Sequence, residues 1–383
     1  LIAGRFVYNV ISHESKRLEV KLSQNEYISR KKRYSEAAGR EGLQALFISN
    51  LPDVRYLCGF TGSNGNILLM ENRGYFFTDF RYREQAAGEV QGFEVIVYEG
   101  GLGPALAEVL RKREGITLGF DPATLSYAEV ALLKKSLRGM ARPKPIRFST
   151  TWLRARKSSA EIRAIRRAVR VAEKSLLKGL ALATPETTEA GFSVDLDFEA
   201  RGMGAERSSF ETIVATGTRG SIVHAKPTRK KLRGATVIDW GILYRGYCTD
   251  MTRTISFGNP TGTIKKIHAV VLKAQEAAIK KIKPGVKASD LDVAARAIIE
   301  EAGYGEHFGH ALGHGVGLEV HERPYIAKTS RDVIEEGMVF TVEPGVYLPG
   351  KGGVRIEDMV LVTPDGCEML SELPRSLELE TYI

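Results

Sequence analysis

Asp239-Trp-Gly241 and Thr249-Asp-Met-Thr-Arg-Thr254 open the stretch on which the reading of this chain turns. His307-Phe-Gly-His310-Ala-Leu-Gly-His314-Gly-Val-Gly-Leu-Glu-Val-His321 follows, and Thr341-Val-Glu343-Pro-Gly345 and Val354-Arg-Ile-Glu357-Asp358 close it. Four of the seven histidines fall between 307 and 321. Histidines among small glycines, with carboxylates on either side, are the sequence pattern of an oxygen-and-nitrogen metal site.

Asp239 and Asp250 flank a candidate hairpin turn at Leu243-Tyr-Arg-Gly246. Antiparallel pairing would bring both carboxylates to one point. Glu343 and Glu357 flank the loop Tyr347-Leu-Pro-Gly-Lys-Gly-Gly353 in the same way, and His314 comes from the glycine-bracketed segment. Four buried negative charges repel unless they protonate or bind cations. Two divalent ions would neutralise them, bridged at about 3.5–4 Å as in two-metal hydrolytic sites. Oxygen ligands with one histidine suit Mn²⁺, Co²⁺ or Fe²⁺ better than a closed structural zinc site. Taken singly, each carboxylate reads as a surface or capping residue and each glycine as a turn; the combination carries the argument.

Outward from this stretch, 383 residues exceed one ordinary core and imply two domains. The hydrophobic fraction of 43% is that of a soluble globular protein. No apolar run reaches membrane-spanning length, and no signal peptide is expected. Three widely spaced cysteines (Cys58, Cys248, Cys367) point to a reducing, cytoplasmic compartment rather than to disulfides or zinc. Net charge is +9, with basic runs at Arg30-Lys-Lys-Arg33 and Arg229-Lys-Lys-Leu-Arg233. These are read as solvated surface: without interleaved aromatics they give no nucleic-acid platform.

In chain order, residues 1–26 read as an N-terminal extension. Residues 27–148 alternate helices and strands, as an α/β domain does. A basic helix runs from Tyr27, a strand covers 43–49, and Asn50-Leu-Pro-Asp53 halts it. Tyr56–Gly65 is a glycine-rich loop, Asn72-Arg-Gly74 turns a hairpin, and Arg142-Pro-Lys-Pro145 marks the domain boundary. Residues 149–383 read as two helix–helix–strand–strand halves. A capping box, Ser158 with Glu161, starts the first helix; Thr184 caps the second and Ser289 the fourth.

At these residues the chain resembles the pita-bread metallopeptidases: aminopeptidase P, prolidase and methionine aminopeptidase, with creatinase as a metal-free relative. Asp239 to Asp250 is eleven residues, His314 to Glu343 twenty-nine and Glu343 to Glu357 fourteen, as in the proline-specific branch. Gly59-Phe-Thr-Gly-Ser-Asn-Gly65 and Thr78-Asp-Phe-Arg-Tyr-Arg-Glu-Gln-Ala86 are similar to the N-terminal domain of aminopeptidase P, prolidase and creatinase, which methionine aminopeptidases lack. The resemblance implies an N-terminal creatinase-like α/β domain before a C-terminal pita-bread domain. It implies that Asp239, Asp250, His314, Glu343 and Glu357 bind two divalent ions, Mn²⁺ or Co²⁺ foremost with Fe²⁺ or Zn²⁺ as options. A bridging hydroxide then attacks the Xaa-Pro carbonyl. Glu343 doubles as proton shuttle, His224 and His321 hold the substrate and its tetrahedral intermediate, and His310 lines the proline side. Arg355 orients the carboxylates from behind. The implied substrates are proline-containing peptides, and the implied assembly is a homodimer.

Two departures weigh on substrate choice. Val223 stands where relatives carry proline. Tyr325 stands where archaeal-type prolidases carry the arginine that binds a dipeptide's carboxylate; Arg323 is two residues away. The sequence therefore leans to an Xaa-Pro aminopeptidase, with Xaa-Pro dipeptidase as the alternative. A non-catalytic pita-bread binding module and a metal-free creatinase-like hydrolase are the remaining readings. Both are disfavoured because all five ligand positions are filled.

Overall fold

The structure, a computed structural model, describes residues 22–71 and 73–383. The expected extension at 1–21 and the turn residue Asn72 lie outside the described residues. The first helix, Gln24–Arg40, starts within the span read as extension, because the Ser23 side chain caps the Glu26 amide. It buries Arg30, Tyr34, Ala37 and Ala38 at helical spacing. Arg30 corrects the reading of its basic run as solvated surface: it is 1% exposed and paired with Glu26 and Glu161.

A six-stranded sheet follows, with Ala45–Ile48 at its centre. On one side the strands Asn66–Met70 and Gly74–Asp79 form the expected hairpin, flanked by Glu94–Tyr98 in parallel. On the other side lie Ile116–Phe120 and Ala141–Pro145. The Pro-Lys-Pro segment is thus the sheet's edge strand, where missing N–H groups cost least. Asn50-Leu-Pro-Asp53 does not simply halt the chain. It opens a helix, Leu51–Cys58, with Pro52 in its first turn and Gly59 at φ +84° ending it.

Beyond Thr150–Leu153 the chain repeats itself. Helices Ser159–Leu182 and Glu189–Gly202 precede an antiparallel sheet of Ile213–Thr216, Gly234–Trp240 and Met251–Phe257. Helices Gly262–Ile279 and Ala288–Glu301 precede a second sheet containing Gly313–Gly315, Val339–Val342 and Asp358–Val362. Each helix pair packs its apolar face on its own sheet, giving two neighbouring cores. The Ser158–Glu161 capping box forms as expected. Thr188 rather than Thr184 caps the second helix, since Thr184–Thr187 closes a turn of its own. Lys287 rather than Ser289 occupies the cap of the fourth. A bridge between Thr252 and Glu357 joins the sheets where the two hairpins meet. The α/β sheet domain followed by a pseudo-symmetric pita-bread domain is the expected architecture. No helix among the described residues is long and apolar enough to cross a membrane.

Candidate active site

Strand register explains why the acids converge. In the first hairpin Asp239 pairs with Thr252 and Trp240 with Met251; the ladder breaks at Gly241 and Asp250 and the same register resumes in the turn pairs Leu243–Cys248 and Tyr244–Tyr247. Asp239, Thr252 and Asp250 therefore project from one face. Arg245 (φ 52°) and Gly246 (φ 81°) supply the left-handed backbone of a tight hairpin turn. In the second hairpin, Val342 pairs with Asp358 and Gly345 with Arg355, which sets Glu343 directly across from Glu357.

His314 enters from Gly313–Gly315, a short strand that must lie close to its neighbours. A Cβ on Gly313 would sit 2.0 Å from the Thr341 carbonyl, and one on Gly315 would sit 2.1 Å from that of Arg323. The His314 Nδ1 faces its neighbour's carbonyl, Gly315 O, at 3.2 Å. A proton there leaves the Nε2 lone pair free, 3.5 Å from Asp250 Oδ2 and 3.4 Å from Glu343 Oε1. Atoms of Asp250, His314 and Glu357 lie within 4.8 Å of one another.

One cleft of about 480 Å³ is lined by Asp239, Asp250, His314, Glu343, Glu357, His224, His310, His321 and Arg355. Every site residue expected from the sequence is brought there. Burial, then Glu357, Asp239 and Glu343, push Asp250 well above the ordinary carboxylate range. Burial and the neighbouring acids do the same to Glu357. Burial and Asp239 lift Glu343 to about 8, although Arg355 opposes them. Burial, then His321, lowers His314 to about 4, so it is neutral and able to ligate. Asp239 Oδ1 is buried with no hydrogen-bond partner among the described residues. Four acids, a free imidazole nitrogen and an orphaned carboxylate oxygen, opposed by one guanidinium, form a donor set that fits divalent cations.

Arg355 is 2% exposed and spends its fork on the site. Nη2 donates to Asp239 Oδ2 at 2.6 Å, Nε to Thr252 Oγ1 at 3.0 Å and Nη1 to Tyr347 Oη at 2.9 Å. Thr252 in turn donates to Glu357 Oε2 at 2.8 Å. Tyr347 lies 2.9 Å from His310 Nε2. Burial lowers His310 to about 4, and its Nδ1 sits 2.8 Å from the Ala311 carbonyl. The Tyr347 hydroxyl accordingly donates to His310. Sequence reading missed Tyr347 and Thr252, although each lies on the acid-bearing face of a hairpin. It also missed Lys226, Glu211 and Phe210 at the cleft wall. Arg323, the cation considered for a substrate carboxylate, does not line the cleft: Asp332 holds it at 2.9 and 3.0 Å.

Comparison with known proteins follows the same division of the chain. Residues 163–364 match metallopeptidase family M24, and residues 30–157 match the creatinase/prolidase N-terminal domain. The chain is 36% identical over 351 residues to an Xaa-Pro dipeptidase of Pyrococcus horikoshii, covering 90% of this chain and 97% of that protein. Among solved structures it is similar to an Xaa-Pro dipeptidase from Bacillus anthracis (TM-score 0.87, 36% identity, 92% of this chain and 99% of the other). An X-Pro aminopeptidase from Thermotoga maritima is also similar (TM-score 0.81, 38% identity, 89% and 99%).

Proposed function

The chain belongs to metallopeptidase family M24, and from that premise we propose that it is an Xaa-Pro dipeptidase whose centre is built by Asp239, Asp250, His314, Glu343 and Glu357. The observation that carries the reading is the convergence of these five side chains on one cleft with excess negative charge. The sequence leaned to an Xaa-Pro aminopeptidase. The dipeptidase names of the relatives from P. horikoshii and B. anthracis favour the alternative. The aminopeptidase reading keeps one specific support, Tyr325 in place of a carboxylate-binding arginine, together with the similarity to the T. maritima enzyme.

Two divalent cations, Mn²⁺ or Co²⁺ by the oxygen-rich donor set, would supply an acidified water and polarise the scissile carbonyl. Glu343 takes the proton of the attacking water and hands it to the proline nitrogen as the C–N bond breaks. His321 and His224 face the cleft and orient the carbonyl of the residue before proline. His310, fixed by Tyr347, lines the proline side. A proline nitrogen offers no N–H for a backbone grip, so walls of side chains must place the substrate. Among the described residues, the cleft-lining Lys and Arg side chains are Arg355 and Lys226. Asp239, Thr252 and Tyr347 already occupy Arg355. Lys226 is therefore the cation for a dipeptide's carboxylate; it pairs loosely with Glu211 at 3.4 Å. The assembly is a homodimer, which sedimentation would test.

The deciding assay sets Xaa-Pro dipeptides against Xaa-Pro-Xaa tripeptides with Mn²⁺, Co²⁺ or chelator. Dipeptides cleaved in preference, and only with metal, are expected. Preference for tripeptides returns the enzyme to the aminopeptidase reading, and turnover in chelator overturns the metal centre.

A further inference from the structure

A second buried ion cluster lies behind the cleft, where the helix Leu51–Cys58 meets the segment leading to His321. Its centre is Arg154, 1% exposed. The guanidinium forks three ways. Nη1 reaches Asp53 on that helix, Nη2 reaches Glu319, and Nε donates to Glu322 Oε1 at 2.9 Å. Lys157 Nζ binds the other oxygen of Glu322 at 2.9 Å, and the Arg154 carbonyl at 3.0 Å. The Glu319 amide closes back on Glu322 Oε1 at 3.0 Å. Asp53 is anchored in its own domain by Tyr34 at 2.8 Å and Asn50 at 3.1 Å.

Two of the three arms thus end on Glu319 and Glu322, which bracket His321. The backbone just before them is folded tightly over the Glu322 carboxylate, for a Cβ on Gly317 would lie 2.5 Å from Glu322 Oε2. The His321 ring itself points into the cleft, 4.2 Å from His314 by ring centroids. None of the hydrogen bonds among the described residues engages that ring. Its backbone is held by the Gly315–Glu322 strand pair and by the Gly317 N–H to the Glu319 carbonyl, and the Arg154 fork grips the side chains on both sides of it. The planar fork spreads five fixed donors over the three carboxylates, whereas an ammonium carries its three donors on a single nitrogen and spans them poorly.

We propose that Arg154 is a positioning residue for the peptidase reaction: it ties the N-terminal domain, through Asp53, to the Glu319–Glu322 turn and so holds His321 against the substrate. The catalytic half of this inference rests on the reading of His321 as a substrate contact.

Removing Arg154 outright would strand two buried acids, Asp53 and Glu322, and threaten folding, so Asp53→Asn carries the test, with Arg154→Lys beside it. In the full-length, metal-loaded enzyme, both variants raise amide hydrogen exchange across residues 317–322. Asp53→Asn also lowers kcat on Xaa-Pro substrates about tenfold, as loss of alignment does, with little change in KM. In a His321→Ala background that kcat loss disappears. Unchanged exchange at 317–322 overturns the clamp. Faster exchange with the same kcat loss in both backgrounds overturns positioning through His321. Full turnover in His321→Ala alone overturns the substrate role of His321, and the exchange data then still judge the clamp, since they need no substrate.

Discussion

Two clusters of largely buried acids lie on either side of His321, and they differ in charge balance rather than in kind. In the cleft, Asp239, Asp250, Glu343 and Glu357 face one guanidinium, Arg355. Behind it, Asp53, Glu319 and Glu322 face Arg154 and Lys157. The consequence for Glu322 is opposite, although burial raises its partly exposed neighbour Glu319. In the cleft, burial and mutual repulsion push Asp250 and Glu357 well above the ordinary range, and Glu343 to about 8. Behind it, burial also works against Glu322, yet Arg154 and Lys157 hold it below its ordinary value. On the proposed reading, the cluster that cannot ionise without help receives cations, and the one already compensated holds domains together.

The largest effect follows directly. Asp250→Ala or Glu357→Ala should abolish metal retention and cost roughly three decades of kcat/KM, about 4 kcal/mol of transition-state stabilisation. Glu322→Gln should leave metal stoichiometry intact and lower the melting temperature instead. Metal content by elemental analysis, beside a thermal melt, separates the two. Metal lost from Glu322→Gln would erase the distinction between the clusters.

An intermediate effect is expected at Tyr347, whose phenol joins Arg355 to His310. Tyr347→Phe keeps the ring and removes both hydrogen bonds. Loss of a partner behind the ligands typically costs about 10- to 100-fold. Steady-state kinetics on an Xaa-Pro dipeptide checks this, and unchanged kcat/KM would remove Tyr347 from the site.

Much of this centre was legible in the sequence, and the reason is register. Alternation on a hairpin is periodic, so Asp239 with Asp250, and Glu343 with Glu357, could be set on one face from spacing alone. The histidine segment was legible because glycines at 313 and 315 leave no room for side chains. Tyr347 and Thr252 share those faces but carry no charge pattern, so nothing in the sequence marked them. Arg154 was less legible still. Its partners stand 101, 165 and 168 residues away, and only the packed fold brings them together. The basic run at Arg30–Arg33 misled for the same reason: its first residue finds Glu161 across the domain junction. The helix Leu51–Cys58 was missed because Asn, Pro and Asp signal a turn and a helix start equally well.

The contrast between clusters also predicts opposite responses to pH. The raised acids of the cleft are neutral in the folded, metal-free protein where the unfolded chain would already ionise. Their contribution is therefore lost as pH rises from the ordinary carboxylate value toward about 8. Glu322 runs the other way: its depressed value gives stability that is complete above the ordinary range and lost as pH falls through its folded value. Metal-free protein should thus melt progressively lower from about pH 5 to about pH 8. Added Mn²⁺ should restore the loss, more so at the higher pH, because ligands must be deprotonated to bind. Melting curves with and without chelator measure this; a Mn²⁺ gain independent of pH would contradict the shared origin of the shifts.

The smallest effect lies at the cleft mouth, outside both clusters. Lys226 is 79% exposed and its partner Glu211 68%. Water screens such a charge, so its attraction for a substrate carboxylate is worth at most about 1 kcal/mol, or about fivefold. Lys226→Met should raise KM for Xaa-Pro dipeptides by about that factor with kcat unchanged, because the contact is equal in ground and transition states. The same substitution should leave Xaa-Pro amides untouched, since they carry no carboxylate for Lys226 to hold. High salt should shrink the difference between wild type and variant, as it does for any exposed pair. Equal KM changes for acid and amide would mean that Lys226 shapes the wall rather than reading charge. The proposed dipeptide preference would then need another cation, and with Arg323 bound to Asp332 and Arg355 to Asp239, the described residues of this cleft offer none.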